Sequence, residues 1–139
     1  MKIFFLCFLF FVFSEAKDPN ATLRVEFTNV KNKKGKLWIA LYKPNDKFGA
    51  EKPNIFKIIA VEADKNPIAM FELDPGKYAL AVYQDLNGNE KLDKNFLGIP
   101  KEPYGFSKDF RPRFSAPSFA DCAFELPSAG QQILVELTN

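Results

Sequence analysis

The chain has 139 residues, with 19 Lys or Arg against 17 Asp or Glu, a formal charge of +2 and no histidine. Its charges are interspersed, which excludes the clustered basic face of a nucleic-acid binder. The missing histidine removes Ser-His and Cys-His nucleophile pairs, histidine zinc sites and haem held by histidine.

Residues 1–16 read as a signal peptide: Lys2 is a short basic start, residues 3–13 are an unbroken apolar run, and Ser14 and Ala16 are the small residues a signal peptidase reads. The run is too short to span a bilayer, which takes about 20 residues. The chain is therefore expected to be exported, with residues 17–139 forming a single domain and no transmembrane segment after cleavage. No basic amphipathic helix suggests binding to a membrane surface. Cys7 lies in the leader, so Cys122 has no disulfide partner and is expected to be a buried, inert thiol.

Period-two alternation dominates the rest. In "TLRVEFTN" Leu23, Val25 and Phe27 face inward. "KLWIALY" is apolar on both faces, as for a central strand covered on both sides. "KIIAVEA" and "IAMFEL" follow, and "DPGK" is a turn in which proline presets φ and glycine accepts a positive one. "KYALAVYQ" is a second central strand. "DCAFEL", with Cys122, Phe124 and Leu126 on one face, and "QILVELT", with Ile133, Val135 and Leu137 inward, close the chain. These seven strands predict an all-β antiparallel sandwich, an immunoglobulin-like or transthyretin-like Greek key, with a small barrel as the alternative.

Residues 85–118 break the alternation and are rich in proline and aromatics. A stretch this long in a compact domain is functional or disordered, and its aromatics argue against disorder. It is expected to be an ordered flap packed on one end of the sandwich. At its start, "DLNGNEKLD" sets Asp85, Asn87, Asn89 and Asp93 at positions one, three, five and nine. Asn-Gly alone predicts a type I′ turn. The same spacing also suits calcium, which takes six to eight oxygens, here from Asp85, Asn87, Asn89, the Lys91 carbonyl and Asp93. An EF-hand is excluded, because its glycine at position six is Glu90 and its bidentate glutamate at position twelve is Phe96. Asp85 and Asp93 should repel each other without a cation. Further on, Arg111 and Arg113 stand near Asp109 and Asp121, as an ion-pair network fastening the flap or as an anion clamp.

"YQDLNGNEKLDKNFLGIPKEPYGFS" and "RPRFSAPSFADCAF", with "GKLWIALY" and "DPGKYALAVYQD", resemble the bacterial family catalogued as domain of unknown function 2141 over nearly all of residues 17–139. The resemblance implies a small exported protein of a Gram-negative bacterium, periplasmic or secreted, with no established activity. The chain departs from the family's usual motif at Glu90 and Cys122, where glycine and alanine are common. The Pro75-Gly76-x-Tyr78 turn is also similar to those of transthyretin-like and carboxypeptidase-regulatory-like sandwiches, which bears on fold alone.

These readings point to a monomeric, non-catalytic module of the cell envelope, stabilised by calcium and docking another envelope protein. The alternative is a small-ligand carrier with a pocket from Tyr104, Phe106, Arg111, Arg113 and Asp121. A hydrolase using two of Asp85, Asp93, Glu102, Asp109 and Asp121 is a third reading of low specificity.

Overall fold

In β1 (Ala21–Thr28), Ala21, Leu23, Val25 and Phe27 are buried and the residues between them are half-exposed. That is the pattern of a strand with one face on the core. The computed structural model describes residues 20–31, 33–63 and 65–138, so the expected signal peptide lies outside the described residues. β2 (Lys36–Tyr42) buries Leu37, Ile39 and Leu41, and β3 (Ile55–Ala60) half-buries Ile55 and Ile59. β4 (Ile68–Leu73) contributes Ala69 and Phe71, and β5 (Gly76–Asp85) contributes Tyr78, Leu80 and Val82. Short strands β6 (Tyr104–Phe106) and β7 (Phe124–Leu126) flank a one-turn helix, α1 (Phe119–Cys122), and β8 (Gln131–Glu136) closes the fold with Val135 inward.

The strands form two sheets, β4-β1-β8 and β3-β2-β5-β6, with β7 added to β5 at Gly76–Tyr78. Side chains of both sheets meet in one apolar cluster, as in a sandwich rather than a closed barrel. The chain changes sheet after β1, β3, β4 and β7, so the "DPGK" turn carries it from one layer to the other instead of closing a hairpin.

Four details differ from the sequence reading. Eight strands are present among the described residues, because β6 lies within the flap and pairs with β5. β8 runs parallel to β1, pairing Leu23 with Gln131 through Thr28 with Glu136, so the sandwich is mixed rather than wholly antiparallel; alternation reports which face is buried and carries no strand direction. Asp121 and Cys122 belong to α1, where Ser118 and Asp121 form a reciprocal capping box, and the strand begins only at Phe124. The outer face of β2 is covered only in part: Tyr42 is buried against Phe48 at 5.0 Å, whereas Trp38, alongside Tyr83 at 6.1 Å, is half-exposed and Phe56 and Ile58 of β3 are exposed. No helix among the described residues is long and apolar enough to cross a membrane.

Candidate metal loop and flap

The 85–93 loop starts where β5 ends. Asp85 is 2% exposed, and its carbonyl lies so close to Gly35 that a Cβ there would sit 2.2 Å from it. Gly35 has φ of 81°, so only glycine suits the position on both counts. Asp85 Oδ1 accepts from the Gly88 N–H (2.7 Å) and Oδ2 from the Glu90 N–H (3.0 Å). Asn87 Oδ1 accepts from the Asn89 N–H (3.1 Å), and Asn89 Oδ1 from the Lys91 N–H (3.0 Å). The two amide nitrogens converge on Asp93: Asn87 Nδ2 donates at 2.6 Å, Asn89 Nδ2 at 3.0 and 3.1 Å.

A second buried carboxylate closes the loop. Glu102, 4% exposed, accepts from the Leu86 N–H (2.9 Å) and the Asp93 N–H (3.2 Å), while the Lys101 N–H donates to the Asp93 carbonyl (2.8 Å). In the sequence Glu102 is one of five acids within residues 85–118. Its one signal was an acid between two prolines, which names no partner.

The loop is not the type I′ turn that Asn-Gly predicts. Such a turn needs positive φ at both Asn87 and Gly88, whereas the left-handed residues are Gly88 (76°) and Glu90 (62°). Glu90 thus takes, without being glycine, the sharp bend that a calcium loop makes at position six. Nor do Asp85 and Asp93 stand as bare like charges, since backbone N–H groups solvate one and side-chain amides the other.

Buried charge is costly unless it is paired or hydrogen-bonded. Neither Asp85 nor Glu102 has a Lys or Arg within salt-bridge distance among the described residues. Burial, followed by the charges of Asp85, Glu102 and Glu90, pushes the Tyr83 phenol up to about 12. The donors on this loop are hard oxygens of the kind calcium prefers. No three Asp, Glu, His or Cys side chains gather into a metal cluster among the described residues, so a cation here would rely on amide and carbonyl oxygens as well as Asp85 and Asp93.

The remaining flap residues divide between two places. Tyr104 and Phe106 on β6 pack edge to face at 5.8 Å, and Phe106 meets Phe48 at 6.1 Å. Arg111, Arg113 and Asp121 instead border a shallow, open depression with Phe110 and Phe114. The pocket expected from all five residues is therefore not assembled. Nor is the expected ion-pair network: Arg111 pairs with Glu136 of β8 (3.1 Å), Asp109 accepts from the Glu136 N–H (2.9 Å), and Asp121 is occupied by its capping box. The flap is fastened to β8 by a residue outside it. Phe96 and Phe114 are exposed, contrary to the expectation that the flap's aromatics are packed. Cys122 is buried, and burial chiefly, with the Asp121 charge, pushes its thiol up to about 11.

Comparison with known proteins gives one match. A family model described as "Uncharacterized protein conserved in bacteria (DUF2141)" matches residues 25–134. No curated protein and no solved structure matches.

Proposed function

The chain belongs to this family of uncharacterized bacterial proteins, and from that premise we propose that it is an exported, non-catalytic module of the cell envelope whose 85–93 loop takes up calcium. The observation that carries the reading is Asp85: a carboxylate 2% exposed, with no cationic side chain paired to it among the described residues, at the head of a loop whose oxygens recur at alternate positions. Asp85 and Asp93 supply charge, Asn87 and Asn89 supply amide oxygens, and Lys91 supplies its carbonyl. Uptake requires the amides to release Asp93 and present their oxygens to the ion. Lacking the bidentate acid of an EF-hand, the site should bind with the affinity of extracellular modules, on the order of 10⁻⁴ M.

At roughly 10 mM calcium such a site is saturated about 100-fold, which adds about 2.7 kcal/mol of stability and raises the melting temperature by roughly ten degrees in a domain of this size. The test is a thermal melt of wild type and Asp93→Ala in calcium, magnesium and chelator. Asp93→Ala removes a ligand without touching the backbone contacts of Asp85 and Glu102, so its chelator melt should stay near wild type while its calcium shift disappears. Equal wild-type melts in calcium and chelator would reduce the loop to a self-satisfied turn.

A further inference from the structure

Just beyond the loop, residues 95–99 form a small finger. The Asn95 N–H donates to the Ile99 carbonyl and the Gly98 N–H to the Asn95 carbonyl, both at 2.9 Å. The Asn95 side chain fills the interior, its Oδ1 accepting from the Leu97 N–H (2.9 Å) and the Ile99 N–H (3.0 Å). A bridge between Lys94 and Pro100 closes the neck, and Gly98, with φ of 79°, makes the bend at the tip. This internally bonded frame holds out three large apolar side chains: Phe96 is 95% exposed, Leu97 68% and Ile99 53%. A floppy loop could fold them back onto the domain; this one is bonded so that they stay in water.

The charges around the neck are not balanced at the surface. Lys91, Lys94 and Lys101 are exposed. Of the acids between residues 90 and 102, Glu102 is buried on backbone N–H groups and Asp93 is engaged by the two asparagine amides, leaving Glu90 exposed. An apolar tip with a basic collar matches a bilayer in two ways. The acyl region accepts a projecting apolar group without shape complementarity, whereas a protein partner would need a cavity cut to fit. The headgroup phosphates meet the lysines at the depth where the collar would lie.

We propose that residues 95–99 are a membrane-docking tip that inserts Phe96, Leu97 and Ile99 into the surface of a bilayer containing anionic phospholipid, with Lys91, Lys94 and Lys101 contacting its headgroups. The hydrogen bonds inside residues 95–99 use none of the proposed calcium ligands, so the finger keeps its shape with or without the ion. As a bonded turn it carries no helical periodicity, so the sequence shows no amphipathic pattern for it.

The experiment is cosedimentation with vesicles of phosphatidylcholine alone or mixed with phosphatidylglycerol, using the chain as recovered from its expressing cell, with the same N-terminus in every variant so that any leader contributes equally. Wild type should bind the mixed vesicles at low salt. Phe96→Ser with Leu97→Ser should weaken binding about ten-fold or more by removing the inserted groups. Lys94→Gln with Lys101→Gln should weaken it about twenty-five-fold, near five-fold for each lysine. Leu134→Ser, which changes an exposed apolar residue on β8, should bind as wild type does, and all variants should melt together because every change is at the surface. Wild type that ignores the vesicles, finger variants that bind as wild type does, or binding equally strong on phosphatidylcholine alone would each overturn the proposal. So would a finger that engages only a protein partner.

Discussion

Two stretches of the same flap, residues 85–93 and residues 111–117, are built on different principles. In the first, Asp85 and, from just beyond it, Glu102 each take two backbone N–H groups, and the Asn87 and Asn89 side chains each accept a backbone N–H and donate to Asp93. In the second, the Arg111–Glu136 pair holds one end and the Ser118–Asp121 box secures the other, while Phe114 between them is 100% exposed. The stretch that carries the aromatic Phe114 is thus the looser one. Order in this segment comes from buried carboxylates capturing amide protons, because an unpaired N–H in a half-buried loop costs more than an exposed phenyl ring does.

The largest effect should follow from breaking the first stretch at the residue that ties both its ends. Glu102→Ala leaves the Leu86 and Asp93 N–H groups without acceptors, and we expect a loss of about 3 kcal/mol, at roughly 1–3 kcal/mol for each orphaned group. Glu102→Gln keeps one acceptor and should lose about half as much. Urea denaturation measures both. A loss below about 1 kcal/mol for the alanine variant would mean that water replaces the carboxylate and that the loop is no more firmly held than residues 111–117.

The contrast also marks what could be read from the sequence. Strand faces were legible wherever a side chain's burial repeats at two residues: Leu23, Val25 and Phe27, Leu37, Ile39 and Leu41, and Val135 all lie where alternation puts them. The spacing of Asp85, Asn87, Asn89 and Asp93 was equally visible; the structure links the Asn87 and Asn89 side chains to Asp93, while the Asp85 carboxylate bonds only backbone N–H groups. Glu102 was not, because its partners are backbone N–H groups up to 16 residues away that have no side-chain identity to recognise. β6 was hidden by being three residues long with glycine at its centre. α1 had a signal that went unused, since Ser118-x-x-Asp121 is the spacing of a capping box. The parallel direction of β8 leaves no mark on periodicity at all.

A smaller effect, of opposite sign, should sharpen the account of the first stretch. Glu90 is exposed and holds φ of 62°, a conformation that favours glycine. A side chain in that conformation costs about 1–2 kcal/mol, offset in part by the greater freedom glycine has when unfolded. Glu90→Gly keeps the N–H that Asp85 accepts, loses no packing, and should stabilise the calcium-free domain by about 1 kcal/mol. Loss of stability on that change would show that the Glu90 side chain supports the loop in a way its exposure does not reveal.

The smallest effect belongs to the second stretch. Arg111 and Glu136 form an ion pair whose side chains are 39% and 51% exposed, so solvent screens the attraction and holding two long side chains in register costs entropy. Pairs of this kind contribute about 0–1 kcal/mol. The neighbouring contact, Asp109 accepting from the Glu136 N–H, does not use the arginine and survives its removal. Arg111→Ala should therefore shift stability by no more than about 0.5 kcal/mol, and raising the salt concentration should erase even that difference, because the pair lies within reach of screening ions. Phe114→Ser should be equally silent, as the ring it removes buries nothing. A loss above about 1.5 kcal/mol for either variant would exceed what a surface ion pair or an exposed ring can supply. It would require residues 111–117 to be anchored as firmly as the 85–93 loop, and the distinction between the two stretches would fail.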